Sequence, residues 1–363
     1  MTEAFKILNK KPDFINKNIY YHPQDFRITD NCEDGYKLPG IIDIHCHGAF
    51  GWDFSFGNEK KINDMLDKML CTGLTGLLAT IITSPEEQTI QAIKDIVKVA
   101  KTRKALPIIY GIYLEGPFIS KEKRGSHPLD CLKNPSIELL KKYQEAAEGL
   151  IKVVTVAPEL PGAIEFIKEA VSMGITVALG HSMADYQTTV KAAEAGATLI
   201  THLFNAMPSL HHREPNILTY VLSHRDLAIE LIADCEHICP EMLNFVYSIY
   251  EPSQIMLVSD SMATTGLKDG EYSFYNTTIV KKGTRCQLKS GGFFGGATNL
   301  PESLNIMASK TQISWGLIGT SAWRNQLNYL GLDLDQAETE VFFDAEMNWI
   351  CSSLDKVNWF VKA

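Results

Sequence analysis

The chain of 363 residues is 45% hydrophobic and 21% charged, the balance of a folded globular protein, which excludes extensive disorder. Its formal net charge of −9 excludes a broad phosphate-backbone footprint, so nucleic acid is not an expected partner, although a local basic patch can still grip one small anion. At this length it fits one large barrel with an appendage, or two medium domains.

Met1–Lys11 contains lysines but no apolar core with a cleavage site behind it, so no secretory signal is expected. No run reaches the ~18 uninterrupted apolar residues of a membrane helix, and no membrane association is expected. The eight cysteines are scattered without a CxxC pair, which suggests reduced thiols in a cytoplasm. Residues 1–38 are polar, rich in Asn and Asp, with short apolar pieces.

From Pro39 to Asp260, apolar runs alternate with amphipathic ones. The apolar runs are Ile41–His45, Gly76–Ile82, Ile108–Leu114, Ile151–Val156, Thr176–Leu179, Leu199–Leu203, Ala228–Ala233 and Ile255–Val258. They are rich in Ile, Val and Leu without strict alternation, as in strands covered on both faces of a parallel sheet. Between them, Asn58–Leu70, Glu86–Ala100, Ile164–Met173, Tyr186–Ala195 and Glu241–Tyr250 repeat apolar residues at helical spacing. Several of these end at glycine (Gly73, Gly174, Gly196), which suits a helix C-terminus. Eight strands interleaved with helices predict a TIM-type (β/α)8 barrel, with a doubly wound open sheet as the alternative.

After Asp260 the texture changes. Tyr272–Tyr275, Thr277–Lys281 and Arg285–Leu288 are strand-like and broken by Gly and Asn; Pro301–Gln312 and Ser321–Tyr329 return to helix; Thr339–Phe343 and Val357–Val361 resemble closing strands. The expected organisation is a barrel over 39–334 and a small β-sandwich-like domain from both chain ends, 1–38 and 335–363, with 271–296 as a further candidate contributor.

Six of the eight strand candidates end in histidine or a carboxylate: His45-Cys46-His47, Glu115, His181, His202, Asp234 (with His237 just beyond) and Asp260. Residues i and i+2 of a strand face the same side, so His45 and His47 point together. In a barrel all these ends meet at the C-terminal mouth. Burying that many ionisable groups is costly unless something pairs with them, and a divalent cation is the simplest partner. Taken singly, a strand-end histidine is more often a hydrogen-bonded rim residue, and Asp234 or Asp260 alone could cap a helix. The joint pattern predicts a metal site.

Five blocks carry a more specific signal: Pro39-Gly40-Ile41-Ile42-Asp43-Ile44-His45-Cys46-His47-Gly48; Leu114-Glu115-Gly116-Pro117-Phe118; Leu179-Gly180-His181-Ser182; Thr201-His202-Leu203-Phe204-Asn205-Ala206-Met207 running on to His211-His212-Arg213-Glu214-Pro215; and Val258-Ser259-Asp260-Ser261-Met262-Ala263-Thr264-Thr265-Gly266. In this order and spanning nearly the whole chain, they resemble the N-acetylglucosamine-6-phosphate deacetylase family of the amidohydrolase superfamily. The resemblance implies that Glu115, His181 and His202 hold the principal metal, and that His45 and His47 build a second position with Asp260 beside it. It implies one or two divalent ions, zinc first, with iron, manganese, cobalt or nickel as alternatives. Asp260 is implied as the catalytic acid–base and His127 as a histidine over the substrate carbonyl. Asn205, Ala206 and His237 are implied sugar or phosphate contacts, and Arg213 a phosphate ligand that reaches across a homodimer.

The chain departs from the family at Phe294-Gly295-Gly296-Ala297-Thr298, where Leu-Ala-Gly-Ser is common, at Cys235 in place of a usual glycine, and at Asn216. Three rivals follow: a deacetylase of another phosphorylated amino sugar such as N-acetylgalactosamine 6-phosphate; a cyclic amidase or N-acyl amino acid deacylase, disfavoured because Glu115 stands where many of those carry a carboxylated lysine; and a non-catalytic sugar-phosphate or metal-binding barrel.

Overall fold

The structure, a computed structural model, describes residues 5–8, 20–21, 27–29, 35–274, 277–332, 339–344, 348–354 and 358–362. Eight parallel strands form one sheet in chain order: Ile42–Cys46, Gly76–Ile82, Ile108–Glu115, Ile151–Val156, Thr176–Leu179, Leu199–Ile200, Ala228–Ile232 and Ile255–Val258. The first and last approach each other and close the ring: the Asp260 amide donates to the His45 carbonyl at 3.0 Å, and the His47 amide to Ser261 at 2.9 Å. This is the TIM-type barrel that the alternation of apolar and amphipathic segments predicts; the open-sheet alternative is not formed.

Helices follow because each presents one apolar stripe to the strands. In Glu59–Leu70 the buried residues are Ile62, Met65, Leu66, Met69 and Leu70, and the Asn58 side chain caps the amide of Lys61. Glu86–Thr102 buries Ile93, Ile96 and Val97 in the same way. Ala163–Ser172, Tyr186–Glu194 and Pro240–Ile249 fall within a residue of the predicted segments. Two of the described helices between the barrel strands were not predicted. Ile137–Ala146 has only a short stripe of Leu139, Leu140 and Tyr143, and the eight-residue Ile217–His224 is too apolar to show one face.

The sixth strand is shorter than Leu199–Leu203 because His202 takes a positive φ of 26°, which turns the chain out of the sheet. The barrel floor is apolar, with Ile42, Ile44, Leu78, Tyr113, Val153, Met256 and Val258 packed with Leu327. That plug belongs to Arg324–Tyr329, which with Trp315–Ser321 replaces the single helix predicted over Ser321–Tyr329.

Both chain ends join one seven-stranded antiparallel sheet, in the order Phe5–Leu8, Asn358–Lys362, Trp349–Leu354, Thr339–Asp344, Gly35–Leu38, Arg27–Thr29, Tyr20–Tyr21. Trp349–Leu354 escaped the sequence reading; Val357 and Tyr275 lie outside the described residues. Gly270–Phe274, Thr277–Lys282 and Arg285–Leu288 pair with one another in a separate three-stranded sheet, and its following loop borders the barrel mouth. No helix among the described residues is long and apolar enough to cross a membrane.

Candidate active site

The strand ends converge at the C-terminal mouth on a cavity of about 410 Å³. Its lining includes His47, Glu115, His127, His181, His202, Asn205, Ala206, His237 and Asp260. His181, His202 and Asp260 each adopt positive φ (47°, 26° and 49°) just past the end of a strand. Non-glycine residues rarely do so, and the strain of order 1–3 kcal/mol each is held by the surrounding barrel. The turn aims each side chain into the mouth instead of along the sheet.

Two groups of three buried side chains that could each hold a metal ion face each other: Glu115 with His181 and His202, and His45 with His47 and Asp260. Glu115 links them. Its Oε1 lies 3.0 Å from both His181 Nε2 and His202 Nε2, and its Oε2 lies 3.2 Å from His47 Nε2. Asp260 Oδ1 is 3.3 Å from His47 Nε2 and 3.6 Å from His45 Nε2.

The donor chemistry of these rings tests whether a cation fits. His181 Nδ1 is 2.7 Å from the Lys123 carbonyl, which only accepts, so the ring proton sits on Nδ1. The bare Nε2 then faces a carboxylate oxygen and, at 3.1 Å, the Nε2 of His202. His45 is alike: Nδ1 donates to Glu230 at 2.9 Å, and the buried Nε2 makes no hydrogen bond. Lone pairs gathered on one point among carboxylates need positive charge between them. Imidazole and carboxylate are the donors that zinc and similar divalent ions take, and outer partners such as Lys123 and Glu230 are what hold such rings in register.

Burial alone raises a carboxyl pKa, but the surrounding His181, His45 and His127 hold Glu115 well below its ordinary range. Asp260 is also lowered: burial opposes ionisation, and the hydrogen bond from His47 and the proximity of His45 outweigh it. Burial pushes His127 down to about 4, which keeps the ring neutral at neutral pH. Its Nδ1 is 2.7 Å from the Thr83 hydroxyl and its Nε2 3.1 Å from Glu115 Oε2. An ionised Glu115 can only accept, which puts the ring proton on Nε2, at the cavity wall.

His237 reaches the cavity from beyond the seventh strand. Asp234, the strand-end carboxylate, binds no ligand group; it accepts from the amides of Glu236 and His237 at 2.9 Å and from His237 Nδ1 at 2.7 Å. The His237 ring lies against Phe293, centroids 4.5 Å apart. Arg213 is not brought to this cavity; it is exposed on the loop after Met207 with His211 and His212. Of the segment Phe294–Thr298 that departs from the family, Gly295 lines the cavity, next to Gly291, Gly292 and Phe293.

Three contributors escaped the sequence reading. Thr83 lies in a bend after the second strand and Lys123 in the short 3-10 helix Lys121–Lys123; they act through one hydroxyl and one carbonyl, for which no pattern exists. Glu230 was visible as a lone charge in the apolar run Ala228–Ala233. Gly116 has a definite reason: φ is +90°, and a Cβ there would overlap the Thr83 hydroxyl. Gly116→Ala should displace Thr83 from His127 and lower kcat roughly 100-fold, the cost of a misplacement of about 1 Å. Acetate-release kinetics on the folded variant check this.

Residues 36–263 match the amidohydrolase family. The N-acetylglucosamine-6-phosphate deacetylase of Bacillus subtilis (strain 168) is 34% identical over 327 residues, covering 89% of this chain and 83% of its own length. An N-acetylgalactosamine-6-phosphate deacetylase of Escherichia coli O157:H7 is 30% identical over 280 residues, 76% of this chain and 73% of its own length. Among solved structures, a mutant of the Mycobacterium smegmatis N-acetyl-D-glucosamine-6-phosphate deacetylase in complex with N-acetyl-D-glucosamine-6-phosphate aligns with a TM-score of 0.83 at 25% identity, covering 93% of this chain and 92% of that one. The Thermotoga maritima N-acetylglucosamine-6-phosphate deacetylase gives 0.81 at 26% identity, with 94% of each chain covered. With two candidate ligand groups at the mouth of a TIM-type barrel, the chain belongs to the metal-dependent amidohydrolase family and groups with its N-acetylglucosamine-6-phosphate deacetylases.

Proposed function

We propose that this chain hydrolyses the acetamide of N-acetylglucosamine 6-phosphate, releasing glucosamine 6-phosphate and acetate in amino-sugar breakdown. The observation that carries the reading is the meeting of His181 Nε2, His202 Nε2 and Glu115 Oε1 within 3.1 Å, in a cavity that also holds Asp260 and His127. Glu115, His181 and His202 are the residues that would hold a first divalent cation; His45, His47 and Asp260 would hold a second. Zinc is our first assignment from this donor set. When bound, such an ion acidifies water and polarises a carbonyl.

The chain's own groups supply the rest. The Asp260 carboxylate, ionised and turned into the cavity, accepts a proton from the attacking water as its oxygen bonds to the carbonyl carbon. The same carboxyl then gives that proton to the sugar nitrogen as the C–N bond breaks, so that acetate and a free amine leave. The neutral His127 donates its Nε2–H toward the carbonyl oxygen as negative charge develops there. Asn205, Ala206 and His237 line the wall where the sugar would lie, with Asp234 fixing the His237 ring.

Arg213 is proposed as the phosphate ligand of a second copy's cavity, since its fork of donors suits phosphate and it stands exposed outside its own. This implies a homodimer. Arg213→Ala should raise KM for the phosphorylated sugar roughly 10–100-fold, the worth of one or two charged hydrogen bonds. Any activity on the unphosphorylated sugar should be unchanged, and equal losses on both would show that Arg213 does not recognise the phosphate. A cytoplasmic setting is proposed because no two cysteines among the described residues form a disulfide.

A second reading keeps the chemistry and changes the sugar to N-acetylgalactosamine 6-phosphate. It is favoured by the glycine-rich loop around Phe293 at the cavity and by the E. coli relative of that name. Parallel acetate-release assays on both sugars decide: the larger kcat/KM names the substrate, and no release from either refutes the proposal.

A further inference from the structure

Glu230 has no role in the scheme above, yet it is a charge in an apolar setting. It lies in the middle of the seventh barrel strand, Ala228–Ile232, with 0% exposure. Its neighbours at two-residue spacing, Ala228 and Ile232, belong to the apolar barrel floor. One oxygen makes both of its contacts: Oε2 accepts from His45 Nδ1 at 2.9 Å and from the His202 backbone amide at 3.2 Å. The other, Oε1, has no hydrogen-bond partner among the described residues. A single carboxylate oxygen therefore touches one residue from each candidate ligand group.

A buried carboxylate persists only where opposite charge compensates it. Glu115, Asp260 and Glu230 together bring three negative charges to this part of the barrel. One divalent cation would leave the cluster net negative, whereas two over-compensate it by a single charge. We infer that Glu230 is a positioning residue for the second cation: it fixes the His45 ring with Nε2 bare and supplies the negative charge that makes a second ion favourable beside the first. The inference rests on the reading that His45, His47 and Asp260 form that second position.

The geometry agrees with this division of labour. Held through Nδ1, the His45 ring turns Nε2 to within 3.4 Å of Glu115 Oε1 and 3.6 Å of Asp260 Oδ1. The His45 ring also packs against Tyr113, with centroids 4.7 Å apart and the planes tilted at 45°. The first position has its own outer partner, the Lys123 carbonyl on His181, and depends on Glu230 only through one backbone amide.

The test is equilibrium dialysis of the full chain against Zn²⁺ and, separately, Co²⁺, with elemental analysis and the visible spectrum of the cobalt form. Wild type should take up two ions per chain. Glu230→Gln keeps the shape and an acceptor but removes the charge. It should bind the first ion normally and the second at least tenfold more weakly, within the 10–100-fold range of outer-partner changes. The cobalt spectrum should lose the contribution of one ion. Glu230→Asp, which keeps the charge but withdraws it from His45, should show the same selective loss and stands in if the glutamine variant does not fold. Two ions bound with wild-type affinity in either folded variant would overturn the inference. A wild type that binds only one ion would overturn the two-position reading itself, and that failure is visible without any variant.

Discussion

Asp260→Asn should lower kcat for acetate release about 10³-fold while the protein still binds a divalent ion at Glu115, His181 and His202. Asparagine has the size of aspartate, and the backbone turn at φ 49° suits it as well as any non-glycine residue. What it lacks is a proton-accepting oxygen. Positioned proton transfer contributes 10²–10⁴-fold, and here one carboxyl serves twice, toward water and then toward the leaving nitrogen. Asp260 is held ionised in spite of its burial, by His47 and His45, so the native group is poised as a base in the resting enzyme. The check is kcat on N-acetylglucosamine 6-phosphate together with metal content. A variant that retains most of its turnover would assign the proton transfer elsewhere and favour a non-catalytic binding protein.

The barrel was legible because eight apolar runs and their intervening stripes have different periods, and four of the eight strands have the predicted limits. The convergence of the candidate ligands was legible because a parallel barrel sends every strand end to one rim, so that residues as distant as His45 and Asp260 meet there. The period-two argument for His45 and His47 also holds: both rings converge on Glu115 and Asp260. What was not legible depends on single atoms. The Lys123 carbonyl fixes the tautomer of His181, and any residue could supply it. Thr83 orients His127 from a bend more than forty residues away in sequence. Asp234 was recognisable as a strand-end acid but not as a partner of His237, since pairing over three residues requires the local turn. Glu230 carried a signal, a charge where the strand pattern demands an apolar residue, that the sequence reading passed over.

Removing the cations with a chelator should abolish acetate release and lower the unfolding midpoint, and both should return when zinc is restored. The first effect follows from the hydrolytic scheme; the second follows from the site as built. His181 Nε2 and His202 Nε2 stand 3.1 Å apart and each 3.0 Å from the same oxygen of Glu115, an arrangement in which lone pairs confront each other once no positive charge lies between them. Anything that binds the folded chain and not the unfolded one stabilises it by RT ln(1 + [L]/Kd), or about 4.1 kcal/mol at a free concentration 1,000 times Kd. With an unfolding entropy of roughly 2.1 cal/mol/K per residue, 363 residues give about 1.3 °C per kcal/mol, so the shift is on the order of 5 °C. The two readouts separate causes: activity alone could fail through loss of one ion, but the melting shift reports the buried cluster directly. A chelated protein that melts with the zinc-loaded one would mean that protons or hydrogen bonds already balance the cluster. Glu115, His181 and His202 would then be a structural network, and the assignment of a cation to them would have to be withdrawn.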